Sequence, residues 1–344
     1  MNKLKIISAL LLVCILCISI YSCENAIVTT SADSTNYNIQ PAFYSDNHYF
    51  IDTIYKTAFR RIFTEGNNNY TDSNGIDVTN LQIWVQTEVT NPNKRSAVLD
   101  IDLPQVYTGE QYDTIPYMID QNIPSKRMGA YFRKLASSEY SIDYDAGFIS
   151  LKVNLPDLYG AGLTYQYRNN PNKKVGIGDN SVGATNTLLL KMVKLPDLTP
   201  TDTLAWALKM KNVYRLPVNN IVRENFTLLV NYIDPATNIG SPTLPSGRNL
   251  LQIQKLDRFT GSNFGQYAPD NNFDYIEGRT VLSSSGDIIF PSLEPFSSDI
   301  SADPRDSNYA FSDIYKYSKS VAIQSPRNSF YVIKGHVRGV GGYY

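Results

Sequence analysis

The stretch SSSGDIIFPSLEPF, Ser283 to Phe296, is the part of the chain on which the fold turns. It opens as a small-residue turn around Gly286, becomes apolar at Ile288, Ile289 and Phe290, and is cut by Pro291 and Pro295. Proline has no backbone donor, so it ends strand pairing rather than continuing it. The expected unit is a turn, a short strand and a proline-bounded exit. Alternate residues of the strand would enter a core, and the Leu293-Glu294-Pro295-Phe296 turn would return Phe296 to that same core. Such a clasp predicts Phe290 and Phe296 buried and Glu294 facing solvent.

Working outward, the pattern repeats. "NLQIWVQTEV" (Asn80 to Val89) alternates Leu81, Ile83, Val85 and Thr87 on one face, and "TNPNKR" then turns into "SAVLDIDL" (Ser96 to Leu103). "YSIDYDAGFISLKVNL" (Tyr140 to Leu155) reads as two strands around Asp145-Ala146-Gly147, with "LTYQYR" (Leu163 to Arg168) as a third. Further strands are expected in "NTLLLKMVKL" (Asn186 to Leu195), "NFTLLVNYI" (Asn225 to Ile233), "LLQIQKL" (Leu250 to Leu256) and "SFYVIKGHV" (Ser329 to Val337). Helical spacing shows in "DTLAWALKMKNVY" (Asp202 to Tyr214), with Asp202 as its cap, and in "FSDIYKYSKSVAIQ" (Phe311 to Gln324). The fold class expected is mainly β: β-sandwich-like modules with a few short helices, and not a complete transmembrane barrel.

The chain has 344 residues, 42% of them hydrophobic, so a sizeable core is possible. Its 25 tyrosines and 12% aromatics suit strands. The formal charge of −1, without runs of like charge, argues against nucleic-acid binding. Lys3 and Lys5 precede an apolar run from Ile6 to Ile20 and then Ile20-Tyr21-Ser22-Cys23. That is a signal peptide ending in a lipobox-like sequence, with Tyr21 a departure, and it marks Cys23 for lipidation. All three cysteines, Cys14, Cys17 and Cys23, fall in this segment, so the processed chain has no disulfide and no thiol nucleophile. The organisation expected is a signal at 1–22, a flexible tether at 23–45, one β-rich module at 46–170 and a second, with short helices, at 171–344.

No catalytic constellation stands out. His48 and His336 have no ligand-spaced neighbours, no G-x-S-x-G elbow accompanies either, and no phosphate or dinucleotide loop is present. They are expected to be surface or strand-packed. "DNNFDYIEG" (Asp270 to Gly278) alternates Asp270, Asn272 and Asp274 like the start of a calcium loop, but it lacks the sixth-position glycine and the twelfth-position glutamate. A polar turn is expected there. Neither an enzyme nor a cofactor is expected.

The opening stretch resembles the run N-G-x-I-I-F-P-x-L-E-P-F of the SprA (Sov) family, the outer-membrane translocon of type IX secretion and gliding motility. "LAWALKMKNVYRL" (Leu204 to Leu216) resembles that family's W-x-L-x-M-K-N-x-Y segment, and "LLQIQKLDRFT" (Leu250 to Thr260) its strand ending in L-D-R. "NNFDYIEGRTV" (Asn271 to Val281) and "YAFSDIYKYSKSVA" (Tyr309 to Ala322) resemble the segments flanking the opening run. "RRIFTEG", "TNLQIWVQTEV" and "GAYFRKLASSEYSIDYDAGFISL" resemble upstream ones, all in the family's order over roughly residues 59 to 335. The motif residues are Trp206, Tyr214, Asp257, Glu277, Gly278, Phe290, Pro291, Glu294, Pro295 and Phe296, read as structural: turn-setters and packing anchors, with Trp84 among the latter.

The family's barrel of about 36 strands, at ~10 residues each, needs about 360 residues before any turn. The resemblance therefore implies a piece, or a free-standing relative, of one internal region. It implies an outer-membrane-associated envelope protein whose partners are other type IX components or exported cargo. The alternative is an envelope lipoprotein that binds glycan or mediates adhesion.

Overall fold

The computed structural model describes residues 33–65, 78–100, 127–179, 188–260 and 267–341. The chain is mainly β, and its upstream half is built around a small barrel. Strand β1 is Asp33–Ile39 and β2 is His48–Phe50, followed by helix α1, Tyr55–Glu65. Strands β3 (Val78–Gln86), β4 (Arg95–Asp100) and β5 (Arg127–Lys134) come next, then the hairpin β6 (Tyr140–Asp143) and β7 (Phe148–Leu151). β8 (Ala161–Tyr167), β9 (Asn170–Val175) and β10 (Leu188–Lys194) complete this half.

β10 pairs in parallel with β4, β4 with β5, β5 with β3 and β3 with β8; β8 then pairs back to β10. Five strands thus close into a ring and expose no edge within it. Side chains fill the ring: Trp84 from β3, Ala97 and Leu99 from β4, Phe132 from β5, and Leu188, Leu190 and Met192 from β10. β8 contributes Gly162, where an added Cβ would lie 2.5 Å from Leu99 Cδ2 and 2.8 Å from Leu190 Cβ. So narrow a barrel leaves no room for a side chain there.

The intervening residues point outward, yet they are buried too. Ile83, Val85, Leu163 and Val193 join a second core with the β2–β7–β6 sheet and α1. α1 presents Tyr55, Phe59, Ile62 and Phe63 on one stripe, and Phe59 stacks on Phe63 at 4.2 Å. Burial on both faces explains the near-continuous apolar run of β10. Lys191, on its outer face, forms a buried ion pair with Asp52 at 2.8 Å.

The downstream half begins with α2 (Thr203–Leu208), β11 (Val213–Arg215), β12 (Val218–Ile233), β13 (Gly240–Ser241) and α3 (Leu250–Ile253). β14 (Val281–Leu282), β15 (Asp287–Ile289), α4 (Ser298–Ser301), α5 (Asp313–Lys316), α6 (Lys319–Gln324) and β16 (Tyr331–Gly341) follow. β1, β16, β12 and β13 form one sheet over a third core, and β11, β15 and β14 form another. The small sheet is the junction. Within β15, Ile288 enters the downstream core and Ile289 the upstream one; opposite them, Tyr214 and Val213 divide in the same way.

The fold class is as expected, mainly β with short helices and no complete transmembrane barrel, and within it the upstream sheet closes on itself. Several other expectations are corrected. The boundary at 170/171 falls within the β8–β9 hairpin, and barrel strand β10 lies beyond it. Part of the expected tether is structure: β1 pairs with β16 along its whole length and buries Tyr37, and Ser45 N donates to Val213 O at 2.7 Å. A strand anchored only by Tyr37 and the partly buried Ile39 can be polar elsewhere, so its composition resembles a linker. Leu250–Ile253 is helical, because Asn249 Oδ1 caps Leu251 N at 2.9 Å and Lys255 ends the turn at φ 62°. The helix expected over Asp202–Tyr214 stops at Leu208; Asp202 occupies its N-cap position, its carbonyl accepting from Trp206 N at 2.8 Å, but its side chain accepts from Thr199 rather than capping the helix.

Candidate functional site

The motif residues meet at the junction between the cores. Phe290 and Phe296 are both 0% exposed, with ring centroids 5.7 Å apart. Tyr214 lies edge-on to each, at 5.1 and 6.2 Å, and Tyr331 stands 5.3 Å from Phe296. The Tyr214 hydroxyl donates to Pro41 O at 3.1 Å. Asn212 closes the clasp twice: its O accepts from Phe290 N at 2.9 Å and its Nδ2 donates to Phe290 O at 2.8 Å. Pro291 and Pro295 are buried, and Pro295 O accepts from Gln254 Nε2 at 3.3 Å. Phe296 O accepts from Phe311 N at 2.6 Å. Trp206 Nε1 donates to Tyr315 O at 2.9 Å. Glu294 is half-buried rather than fully solvent-facing.

The remaining motif residues brace turns. Asp257 is fully buried and accepts from Asp270 N and Asn271 N, both at 2.9 Å, and from Gln252 Nε2 at 3.0 Å. Glu277 Oε1 accepts from Ser283 N and Oγ at 3.0 and 2.9 Å. Gly278 and Gly286 hold φ of 73° and 76°, the left-handed region.

The candidate calcium stretch is used in the same way. Asp270 Oδ1 accepts from Asn272 N, and Asp274 Oδ2 accepts from Arg258 N at 2.6 Å and Phe259 N at 3.2 Å, while burial pushes the Asp274 carboxyl up to about 6. Among the described residues no group of three or more potential metal ligands converges.

Next to the clasp, the fold assembles a buried polar trio that the sequence did not disclose. His48 on β2 faces Ser150 on β7, and its Nδ1 shares a 2.8 Å hydrogen bond with Ser150 Oγ. His48 Nε2 stands 3.5 Å from Asp287 Oδ2, and Arg215 holds that carboxylate with a two-pronged grip at 2.7 and 3.1 Å. Burial alone would raise the Asp287 carboxyl, but His48 and Arg215 outweigh it and hold it at about 2. Ser150 is 4% exposed and His48 0%, so a substrate carbonyl has no approach to the serine hydroxyl. The arrangement holds a carboxylate inside the fold, with Arg215 supplying the balancing charge. His48 is strand-packed, as expected; His336 sits on β16 between Ser34 Oγ and Asn36 Oδ1, each at 3.0 Å.

Arg215 also lines the larger of two adjoining clefts, a polar space of about 940 Å³ between β1 and the 152–154 segment. Tyr44, Asp46 and Lys319 are shared with a second cleft of about 310 Å³. Asp46 is held by Lys209 at 2.5 Å and by Lys319, which lower its carboxyl below the usual range against the opposing effect of burial. Burial brings the Lys194 amine down to about 8, although the carbonyls of Pro156, Asp157 and Tyr159 surround it. Burial, with Lys209 and Lys56 nearby, brings Lys211 to about 7, its Nζ 3.4 Å from the Trp206 ring centroid.

Cys23 lies outside the described residues. No helix among the described residues is long and apolar enough to cross a membrane. No protein-family model matches the chain, and no curated protein matches it.

Proposed function

We propose that the chain is a structural, non-catalytic protein of the cell envelope of SprA type. In this reading it is a part or relative of the type IX outer-membrane translocon, serving protein export and gliding motility. It is tied to the membrane through a lipid on Cys23, and its partners are other type IX components or exported cargo.

One observation carries the reading. The segments quoted for the resemblance are spread over more than a hundred residues of sequence, yet Tyr214, Phe290 and Phe296 pack in one aromatic cluster, with Asp257 and Glu277 bracing the turns around it. Residues from separate motifs that pack as one unit are what a fold signature requires, and that supports the reading. The glycan-binding alternative has less support. Of the exposed aromatic residues among the described ones, only Phe43 lines the main cleft, and sugar recognition relies on stacking platforms.

Deleting the gene in its native host tests the proposal. Type IX cargo in the culture medium and gliding on agar should both fall and be restored by the wild-type gene in trans. Unchanged secretion and motility would refute it.

A further inference from the structure

β1 is an edge strand. Among the described residues it pairs with β16 alone, in unbroken antiparallel register from Asp33↔Gly339 to Ile39↔Ile333. In such a strand, alternate backbone N–H and C=O groups point away from the partner and present a template for another strand. Five consecutive residues of this strand, Thr35, Asn36, Tyr37, Asn38 and Ile39, line the 940 Å³ cleft.

Proteins ordinarily blunt an edge with lysine, proline or a bulge. DSTNYNI has neither lysine nor proline, its one charged residue is Asp33 at the first position, and its register has no shift. The strand is also held in place. Tyr37 is buried and its hydroxyl donates to Thr227 O at 2.8 Å, while Ser34 and Asn36 both bond His336. About 24 Å of preformed edge is therefore available, taking seven residues at ~3.4 Å each.

The charge of the cleft selects the occupant. Its wall carries Lys152, Arg215 and Lys319 against one acid, Asp46, which is already paired with Lys319 and Lys209. Arg215 is committed to Asp287. Lys152 is exposed and makes no ion pair among the described residues. We propose that the free edge of β1 binds an extended polypeptide as an added strand, and that this peptide carries acidic side chains facing Lys152. Main-chain hydrogen bonds supply the attachment and the lysine supplies the selection. The inference stands on the strand edge and the cleft, and holds whether or not the family reading does.

The test uses the full chain in detergent and three synthetic octapeptides: alternating threonine and glutamate, alternating threonine and lysine, and the glutamate peptide N-methylated throughout. Hydrogen exchange of residues 33–39 is read at about 1 mM peptide, a concentration suited to weak strand addition. The glutamate peptide should slow the cleft-facing amides of β1 about tenfold or more, and the other two should leave them unchanged. Lys152→Glu, a surface change outside the packed cores, should weaken the glutamate peptide about tenfold and admit the lysine peptide. Equal protection by the N-methylated peptide would overturn strand addition. So would an unprotected β1 with every peptide, or protection by chitotetraose and none by the peptides, which would assign the cleft to glycan.

Discussion

Truncating Phe296 to alanine tests the junction directly. The ring is fully buried, with Phe290, Tyr331 and Tyr214 at 5.7, 5.3 and 6.2 Å. Removing a buried phenylalanine costs ~3–5 kcal/mol, combining the lost transfer free energy with the cavity left behind. Three aromatic neighbours, each favourable by ~0.5–1.5 kcal/mol beyond area, place Phe296 near the top of that range, at about 5 kcal/mol. Phe290 has two such partners, Tyr214 and Phe296, and should cost about 4 kcal/mol. Against a domain stability of ~5–15 kcal/mol these are large fractions. In a urea titration with a slope of about 3 kcal/mol/M, Phe296→Ala should move the midpoint down by about 1.7 M. The double variant should lose less than the sum, because the two rings touch and share one cavity. Glu294→Gln should stay near wild type, since its carboxylate takes no hydrogen bond among the described residues. Wild-type midpoints in both phenylalanine variants, with secretion or motility lost, would mean that a functional surface has been mistaken for a core.

Gly286→Ala should destabilise by more than about 2 kcal/mol, because the new Cβ would meet Val218 O at 2.0 Å as well as the left-handed backbone, whereas Gly278→Ala, with nothing within 4 Å, should cost only the conformational ~1–2 kcal/mol. Thermal melts compare the two, and equal losses would contradict the close approach. Asp287 titrates at about 2 in the fold, below its ordinary 3.8, so its contribution is fully present above pH 4 and is lost as the pH falls through 2. That contribution is about 2 kcal/mol. Unfolding free energies of Asp287→Asn between pH 4 and pH 2 should therefore fall less steeply than those of wild type, and parallel slopes would remove Asp287 from the acid response. Labelling with a fatty-acid analogue should tag the protein, and Cys23→Ala should abolish the tag; equal labelling of both would end the lipoprotein reading.

What the sequence disclosed was local in origin. The clasp was legible because Ile288 to Phe290 and the two prolines that bound it lie within a few residues of one another. The alternation in β3 and the Asp145-Ala146-Gly147 hairpin were legible for the same reason. What escaped depends on distant partners. Ring closure rests on β8 meeting β10 and on Gly162 making room for Leu99 and Leu190. The polar trio joins His48 to Ser150, 102 residues away, and to Asp287, with no spacing to signal it. The apolar composition of Leu250–Leu256 suited a strand, but the Asn249 cap and the left-handed Lys255 decided for a helical turn. Those two residues were the available signal.

The pairing of β1 with β16 sets a timetable. The contact between Ser34 and His336 spans 302 residues, and closing so long a loop costs about 5 kcal/mol of chain entropy. The barrel strands, by contrast, find their partners within residues 78–194. At synthesis rates of ~5–20 residues per second, β1 waits roughly 15 to 60 s for its partner to exist. For that interval both of its edges are bare, the condition in which an apolar strand would seek another chain. Its serine, threonine and asparagines keep it hydrated instead. The same polarity that gives residues 33–39 the look of a linker lets them survive the delay and still be available when the last strand arrives.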